Sequence, residues 1–236
     1  MTVIDTFLVQ YSREYDYYRK AAQICEQRCS AELDQSGIRA IVSYRAKRPD
    51  RLKTKVHQRN EEKKYRKVKN IYDDIVDLAG VRIALYFPGD LDEVERLIRG
   101  SFDVSKTKMF HDESNEPSYE KRFSGYAARH YHVRLKSADL EGTDTRYASA
   151  LVEVQVASVL VHAWAEVEHD LAYKPMSGDL SSEEYAILDE LNGLVLAGEI
   201  ALERLQKAGD LRLRLKEGKF RNHYELASYI FGKVSN

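Results

Sequence analysis

Residues 79–87 read AGVRIALYF, with Arg82 as the one charge among aliphatic and aromatic side chains. Pro88-Gly89-Asp90 follows at once. A short apolar run closed by turn formers predicts a strand, the clearest in the chain. Upstream, after Gly37, the β-branched stretch from Ile38 to Tyr44 predicts a second strand. Downstream, Leu91, Val94, Leu97 and Ile98 recur at helical spacing, and Phe102 to Phe110 is a candidate strand. Residues 111–124 carry Asp, Ser, Asn, Pro and Gly without periodicity and predict a loop. Tyr131, Val133 and Leu135 alternate, and so does the run from Leu151 to Val156. In the latter, Val152, Val154 and Val156 share one face and Glu153 and Gln155 share the other.

Helices fill the remainder. Phe7, Tyr11, Tyr15, Tyr18, Ala22 and Cys25 step by three or four and predict a helix over residues 3–34. Pro49 suits the first turn of a polar helix over about 50–69. Another helix follows Val156 to about Tyr173, with Leu160, Trp164, Val167 and Leu171 as a core stripe. After a break from Pro175 to Ser182, Ser181-Ser182-Glu183-Glu184 fits a cap for a helix to about Ala208, and a last helix lies near 222–231. Strands alternating with helices, and helices at both ends, predict an α+β fold with α/β character: a mixed central sheet of about five strands, flanked by helices. The expected division is an N-terminal helical segment (1–36), a core (37–176) and C-terminal helices (177–236).

The 236 residues include 43% hydrophobic and 32% charged ones, the composition of a soluble globular chain. No apolar run reaches the length of a membrane span, and the first residues lack a secretory apolar region. Cys25 and Cys29 are too few for a disulfide framework or a cysteine-only zinc site, so a reduced, cytoplasmic protein is expected. A net charge of −1 argues against bulk coating of nucleic acid but allows a local basic pocket.

That charge is unevenly placed. From Arg45 to Lys69 cations far outnumber Asp50, Glu61 and Glu62. A solvated helix face would explain this. Yet Arg45 and Lys47 sit at a strand-to-helix corner with Lys55 further along, and such a corner can hold a polyphosphate through charge-assisted bonds. Asp77 and Arg82 fit either an ion pair or a metal-binding carboxylate near a phosphate- or base-holding cation. Glu153 and Gln155 on a valine-rich strand mean either a solvent-facing side or the floor of a cleft, because burying a lone carboxylate is costly. A carboxylate there could bind Mg²⁺ with Asp77, or take a proton from an attacking hydroxyl. His162, Glu166, His169 and Tyr173 share a helical stripe, readable as metal ligands, a polar face, or a wall of the same cleft. Ser124-Gly125-Tyr126, preceded by Lys121 and Arg122, fits a packing turn or a ring stacked on a nucleobase beside phosphates. Neither glycine-rich phosphate loop, GxxxxGK[ST] or GxGxxG, is present.

In order, the pieces are Arg45 and Lys47 with Lys55, the run Asp77 to Ile83, Ser124-Gly125-Tyr126 with His130, Glu153 to Val156, then Trp164 and Glu168-His169 with Tyr173-Lys174. Over roughly residues 40–175 this resembles the synthetase domain of the RelA/SpoT family of alarmone enzymes, in the short form of a small alarmone synthetase. The resemblance implies an Mg²⁺-dependent transfer of pyrophosphate from ATP to the 3′-hydroxyl of GDP or GTP, releasing AMP. It implies that Arg45 and Arg82 flank adenine, that Lys47 and Lys55 hold the ATP phosphates, and that Asp77 and Glu153 bind Mg²⁺. Glu153 would also accept the 3′-hydroxyl proton. Tyr126 would stack on the acceptor guanine, with Lys121, Arg122, His130, Gln155, His162 and His169 on the acceptor side. Ala157 and Ala127 stand where relatives usually carry Arg, His162 where Asn is common, and Arg51 where Ser is expected. These departures fall mainly on the acceptor side. A tRNA 3′ end or an adenine nucleotide is therefore an alternative acceptor, and an inactive nucleotide-binding regulator an alternative role. Small synthetases of this type are often homo-oligomers, and no membrane partner is implied.

Overall fold

Five strands hydrogen-bond in the order β1-β2-β5-β4-β3: β1 (Ala40–Ala46), β2 (Ala79–Leu85), β3 (Phe102–Phe110), β4 (Ala128–Leu135) and β5 (Val152–Ser158). The computed structural model describes residues 2–110, 128–172, 180–214, 220 and 222–234. Only β2 and β5 run parallel; the other neighbours are antiparallel, so the sheet is mixed. The expected α+β class and five-stranded sheet are both found.

Strand alternation separates two faces. Ala79, Val81, Ile83 and Leu85 of β2 are buried in one cluster with Val152, Val154 and Val156 of β5 and Tyr131, Val133 and Leu135 of β4. The helix α1 (Val3–Gln35) covers this face through Ala21, Ala22, Cys25, Cys29 and Leu33, and α4 (Leu91–Ser101) adds Val94 and Ile98. Full burial of such branched side chains is worth about 1.5–3 kcal/mol each, which fixes the register against a one-residue slip. At its start, α1 is set by a capping box: Thr2 Oγ1 accepts from the Asp5 amide, and Asp5 Oδ2 accepts from the Thr2 amide.

The expected single helix over 50–69 is two helices. The first, α2 (Pro49–Lys63), ends at Lys64 in the left-handed region (φ 47°), and α3 (Val68–Asp74) begins after it. Asn60 stabilises the break, its backbone and side-chain oxygens accepting from the amides of Lys64 and Tyr65. The turn lets Leu52 and Val56 of α2 and Ile71 of α3 share a second core cluster with Phe7 and Tyr11 of α1 and with Leu78. Tyr11 is fully buried there, and its hydroxyl donates to the Lys47 carbonyl, anchoring the end of β1.

On the opposite face, α5 (Val159–Ala172) starts where β5 stops. Ser158 Oγ accepts from the Val161 amide at 3.0 Å and donates to Glu199 Oε1 at 2.6 Å, tying α5 to the next helix, α6 (Ser182–Arg214). An added Cβ at Gly198 would lie 2.7 Å from Leu160 Cδ1, so the two helices approach closely. Ser181 and Glu184 form the expected reciprocal cap of α6. The core stripe expected on α5 is only partly buried. Trp164 is buried, but Val167 and Leu171 are 43% and 51% exposed. The final helix, α7, spans His223–Val234. The 3-10 turns over Gly142–Ser149, which bury Tyr147, had no signal in the apolar spacing.

Candidate active site

The sheet face turned away from α1 carries polar side chains in two transverse rows set by register. Arg45, Gly80, Glu153, His132 and Lys106 stand side by side on β1, β2, β5, β4 and β3. Ser43, Arg82, Gln155, His130 and Lys108 form the next row. With no side chain at Gly80, space opens between Arg45 and the Glu153 strand; a Cβ there would lie 3.9 Å from Arg45 Cγ.

Asp77 lies just before β2, where β1 and α2 converge. Lys47 and Lys55 both donate to its Oδ2, Lys55 at 2.8 Å. Its Oδ1 is buried and has no hydrogen-bond partner. Burial pushes this carboxyl up, but the two ammonium groups outweigh burial and hold it at about 2. Asp77 is thus an anion with one oxygen neutralised and one bare. Of the two readings of Asp77 and Arg82, the ion pair is not found: Arg82 donates to Glu166 Oε2 on α5 at 2.8 Å.

Glu153 is 9% exposed. Gln155 Nε2 donates to its Oε2 at 2.8 Å, and His130 Nδ1 lies 3.3 Å from Oε1. Burial works to raise this carboxyl, and the nearby charge of Asp77 adds to that, yet the contacts from His130 and Gln155 hold it below the ordinary value. Glu153 is therefore an ionised, enclosed carboxylate with Asp77 within electrostatic reach. Two carboxylates, one with a bare oxygen, beside lysines that could hold phosphate, fit a hard divalent cation such as Mg²⁺, which takes one or two carboxylates plus phosphate oxygens. Among the described residues no three His, Cys, Asp or Glu side chains group as a metal site, so the metal reading of His162, Glu166 and His169 is not supported.

That stripe divides along α5. His162 is buried and its Nε2 donates to the Ile83 carbonyl at 3.0 Å. Burial depresses its pKa to about 4, so the ring is neutral. Glu166 reaches Arg82 in the cleft, whereas His169, two turns beyond His162, is 54% exposed beside Asp170. The structure therefore gathers Arg45, Lys47, Lys55, Asp77, Arg82, His130, Glu153, Gln155 and His162 on one side of the sheet. Lys121, Arg122, Tyr126, the Ser124-Gly125 turn, the 111–124 loop and Tyr173 lie outside the described residues.

Sequence reasoning missed His132. It is 5% exposed, with Nε2 3.7 Å from Glu153 Oε1 and no hydrogen-bond partner on that nitrogen. Its signal was present: if Tyr131 and Val133 face the core, His130 and His132 share the opposite face.

A family model described as a region found in RelA / SpoT proteins matches residues 44–177. GTP pyrophosphokinase YjbM of Bacillus subtilis (strain 168) is 28% identical over 150 residues, a match spanning 57% of this chain and 65% of that protein's length. Among solved structures, a GTP pyrophosphokinase family protein from Streptococcus pneumoniae superposes with a TM-score of 0.68 at 18% identity, covering 92% of this chain and 100% of that one. Small alarmone synthetase 1 from Bacillus subtilis, bound to its product pppGpp, gives 0.63 at 20% identity, over 84% and 97% of the two chains. Both superpositions bear on the fold.

Proposed function

Because the chain belongs to the RelA/SpoT family, we propose that it is a small alarmone synthetase that moves the β,γ-pyrophosphate of ATP to the 3′-hydroxyl of GDP or GTP. The observation that carries this reading is Asp77, with a bare buried Oδ1 and with Lys47 and Lys55 on Oδ2, within electrostatic reach of the enclosed, ionised Glu153. A polyanionic donor and a polyanionic acceptor repel, so their union needs a cationic cleft and fixed orientation.

In this reading Arg45 and Arg82 flank the adenine, and Lys47 and Lys55 bind the phosphates. Asp77 and Glu153 hold Mg²⁺, which when bound supplies neutralisation of the phosphate charge. Glu153 takes the proton of the 3′-hydroxyl as that oxygen attacks the β-phosphorus. The bond from the β-phosphorus to the α,β-bridging oxygen breaks, and AMP leaves with that oxygen. Tyr126 stacks on the acceptor base and Lys121 and Arg122 meet its phosphates. His130, Gln155 and His162 complete the acceptor side, His162 as a neutral wall. A cytoplasmic location fits the absence, among the described residues, of any helix long and apolar enough to cross a membrane. Exposed Ile187, Leu191 and Leu194 on α6 offer a surface for a homo-oligomer.

Exposed Lys63, Lys64, Arg66, Lys67 and Lys69 around the break between α2 and α3 favour one second reading, a tRNA 3′ end as acceptor. Incubation with γ-labelled ATP, Mg²⁺ and GDP, GTP, ADP or bulk tRNA separates the cases. Label in GDP or GTP is expected. Label only in tRNA or only in ADP replaces the acceptor, and tight ATP binding with no AMP release identifies an inactive regulator.

A further inference from the structure

We propose that His132 is a positioning residue that locks the Glu153 carboxylate in its working orientation; this rests on the role given to Glu153 above. His132 stands on β4 directly across from Glu153 on β5, with Lys106 of β3 on its other side. The ring is buried, and its Nε2 is left without a hydrogen-bond partner 3.7 Å from Glu153 Oε1. A buried polar nitrogen is normally satisfied, and this one faces an anion just beyond hydrogen-bond reach. A small side-chain shift closes that gap.

Geometry indicates what closure achieves. Each carboxylate oxygen offers about two acceptor sites. Oε1 has His130 Nδ1 at 3.3 Å, and His132 supplies the second donor. Oε2 accepts from Gln155 at 2.8 Å. Oε2 is then the oxygen left open toward the metal ion and the acceptor hydroxyl. A ring Nε2–H aimed at Oε1 would act as a donor to that oxygen. Outer partners of this kind typically set metal affinity or activity by 10–100-fold.

The test compares His132→Leu, His132→Gln and His132→Asn in the full chain. Gln places an N–H at about the reach of Nε2, whereas Asn falls short and Leu has none. Each is measured for kcat, KM for ATP, unfolding midpoint, and Mn²⁺ affinity by electron paramagnetic resonance with a non-hydrolysable ATP analogue. The expected result is a loss of about 10–100-fold in kcat and Mn²⁺ affinity for Leu and Asn, an unchanged KM for ATP, and recovery of most of both by Gln. Wild-type values for Leu, or a folded Gln variant as impaired as Asn, overturn the proposal. If Leu does not fold, the contrast of Gln with Asn decides, and equality overturns it. A wild-type protein that transfers pyrophosphate to no acceptor yet binds Mn²⁺ sinks the proposed reaction while leaving the Mn²⁺ series to decide His132. A protein that does neither overturns both.

Discussion

Lys55 Nζ donates to Oδ2 of Asp77 at 2.8 Å across 22 residues of sequence, and Lys47 reaches the same oxygen. In the proposed reaction the lysines bind phosphate and Asp77 binds a metal ion. In the free protein those partners bind one another instead. Binding Mg·ATP therefore exchanges protein ion pairs for ligand ones, and the cations are held in place by the anion until the ligand arrives. Desolvated groups that satisfy one another cost less than the same groups left alone.

Asp77→Asn should abolish turnover and Mg²⁺-dependent ATP binding. It should also destabilise the fold at pH 7, by about 1–2 kcal/mol after discounting for partial exposure. The sign follows from the depressed pKa of about 2. The stabilisation is fully present above the unfolded value near 4 and fades as pH falls toward 2. Urea unfolding of both proteins at pH 7 and near pH 3 checks this, and the gap should narrow at the lower pH.

Glu153→Gln should remove turnover while largely preserving ATP affinity, because it deletes the proton acceptor at the chemical step. Acid–base assistance of this kind is typically worth 10²–10⁴-fold. Single-turnover kinetics alongside equilibrium ATP binding checks it. A variant keeping more than about a tenth of the wild-type rate would remove Glu153 from the role of base.

The alternation of Val152, Val154 and Val156 against Glu153 and Gln155 was enough to predict a polar sheet face opposite the core, because strand periodicity is local. The partner of Asp77 was not legible. Lys55 reaches it because Leu52 and Val56 seat α2 against α1 and α3, and that contact is tertiary. His132 is legible only indirectly, from its place opposite the apolar side of its strand. The break at Lys64 was hidden by good helix formers on both sides; the packing of Ile71 and the bonds of Asn60 hold the turn there. Val167 and Leu171 fit an apolar stripe, but periodicity does not say which positions of a stripe meet a neighbour.

Lys64→Gly should stabilise the protein. Lys64 holds φ at 47°, where a non-glycine side chain crowds the backbone at a cost of roughly 1–2 kcal/mol. Glycine removes that cost but gives up unfolded-state entropy, for a net gain of about 0.5–1 kcal/mol. A rise of roughly 2 °C in the unfolding midpoint is expected for a chain of this size. An unchanged or lower midpoint would argue against strain at this turn.

Asp90→Asn should stabilise the protein at neutral pH. Asp90 sits at the start of α4, where Gln206 of α6 donates to its Oδ1. Burial raises its pKa to about 6, with Asp210 and Glu93 adding repulsion that the Gln206 bond only partly offsets. For a raised carboxyl pKa, the favourable contribution is complete below the unfolded value near 4 and is lost as pH rises through 6. At pH 7 the wild type therefore carries a buried charge that Asn lacks, while the Asn oxygen still accepts from Gln206. The gain should be about 1–2 kcal/mol at pH 7 and should vanish by about pH 4, read as unfolding midpoints across that range. A gain that does not depend on pH would mean that the charge of Asp90 is not what strains the contact between α4 and α6.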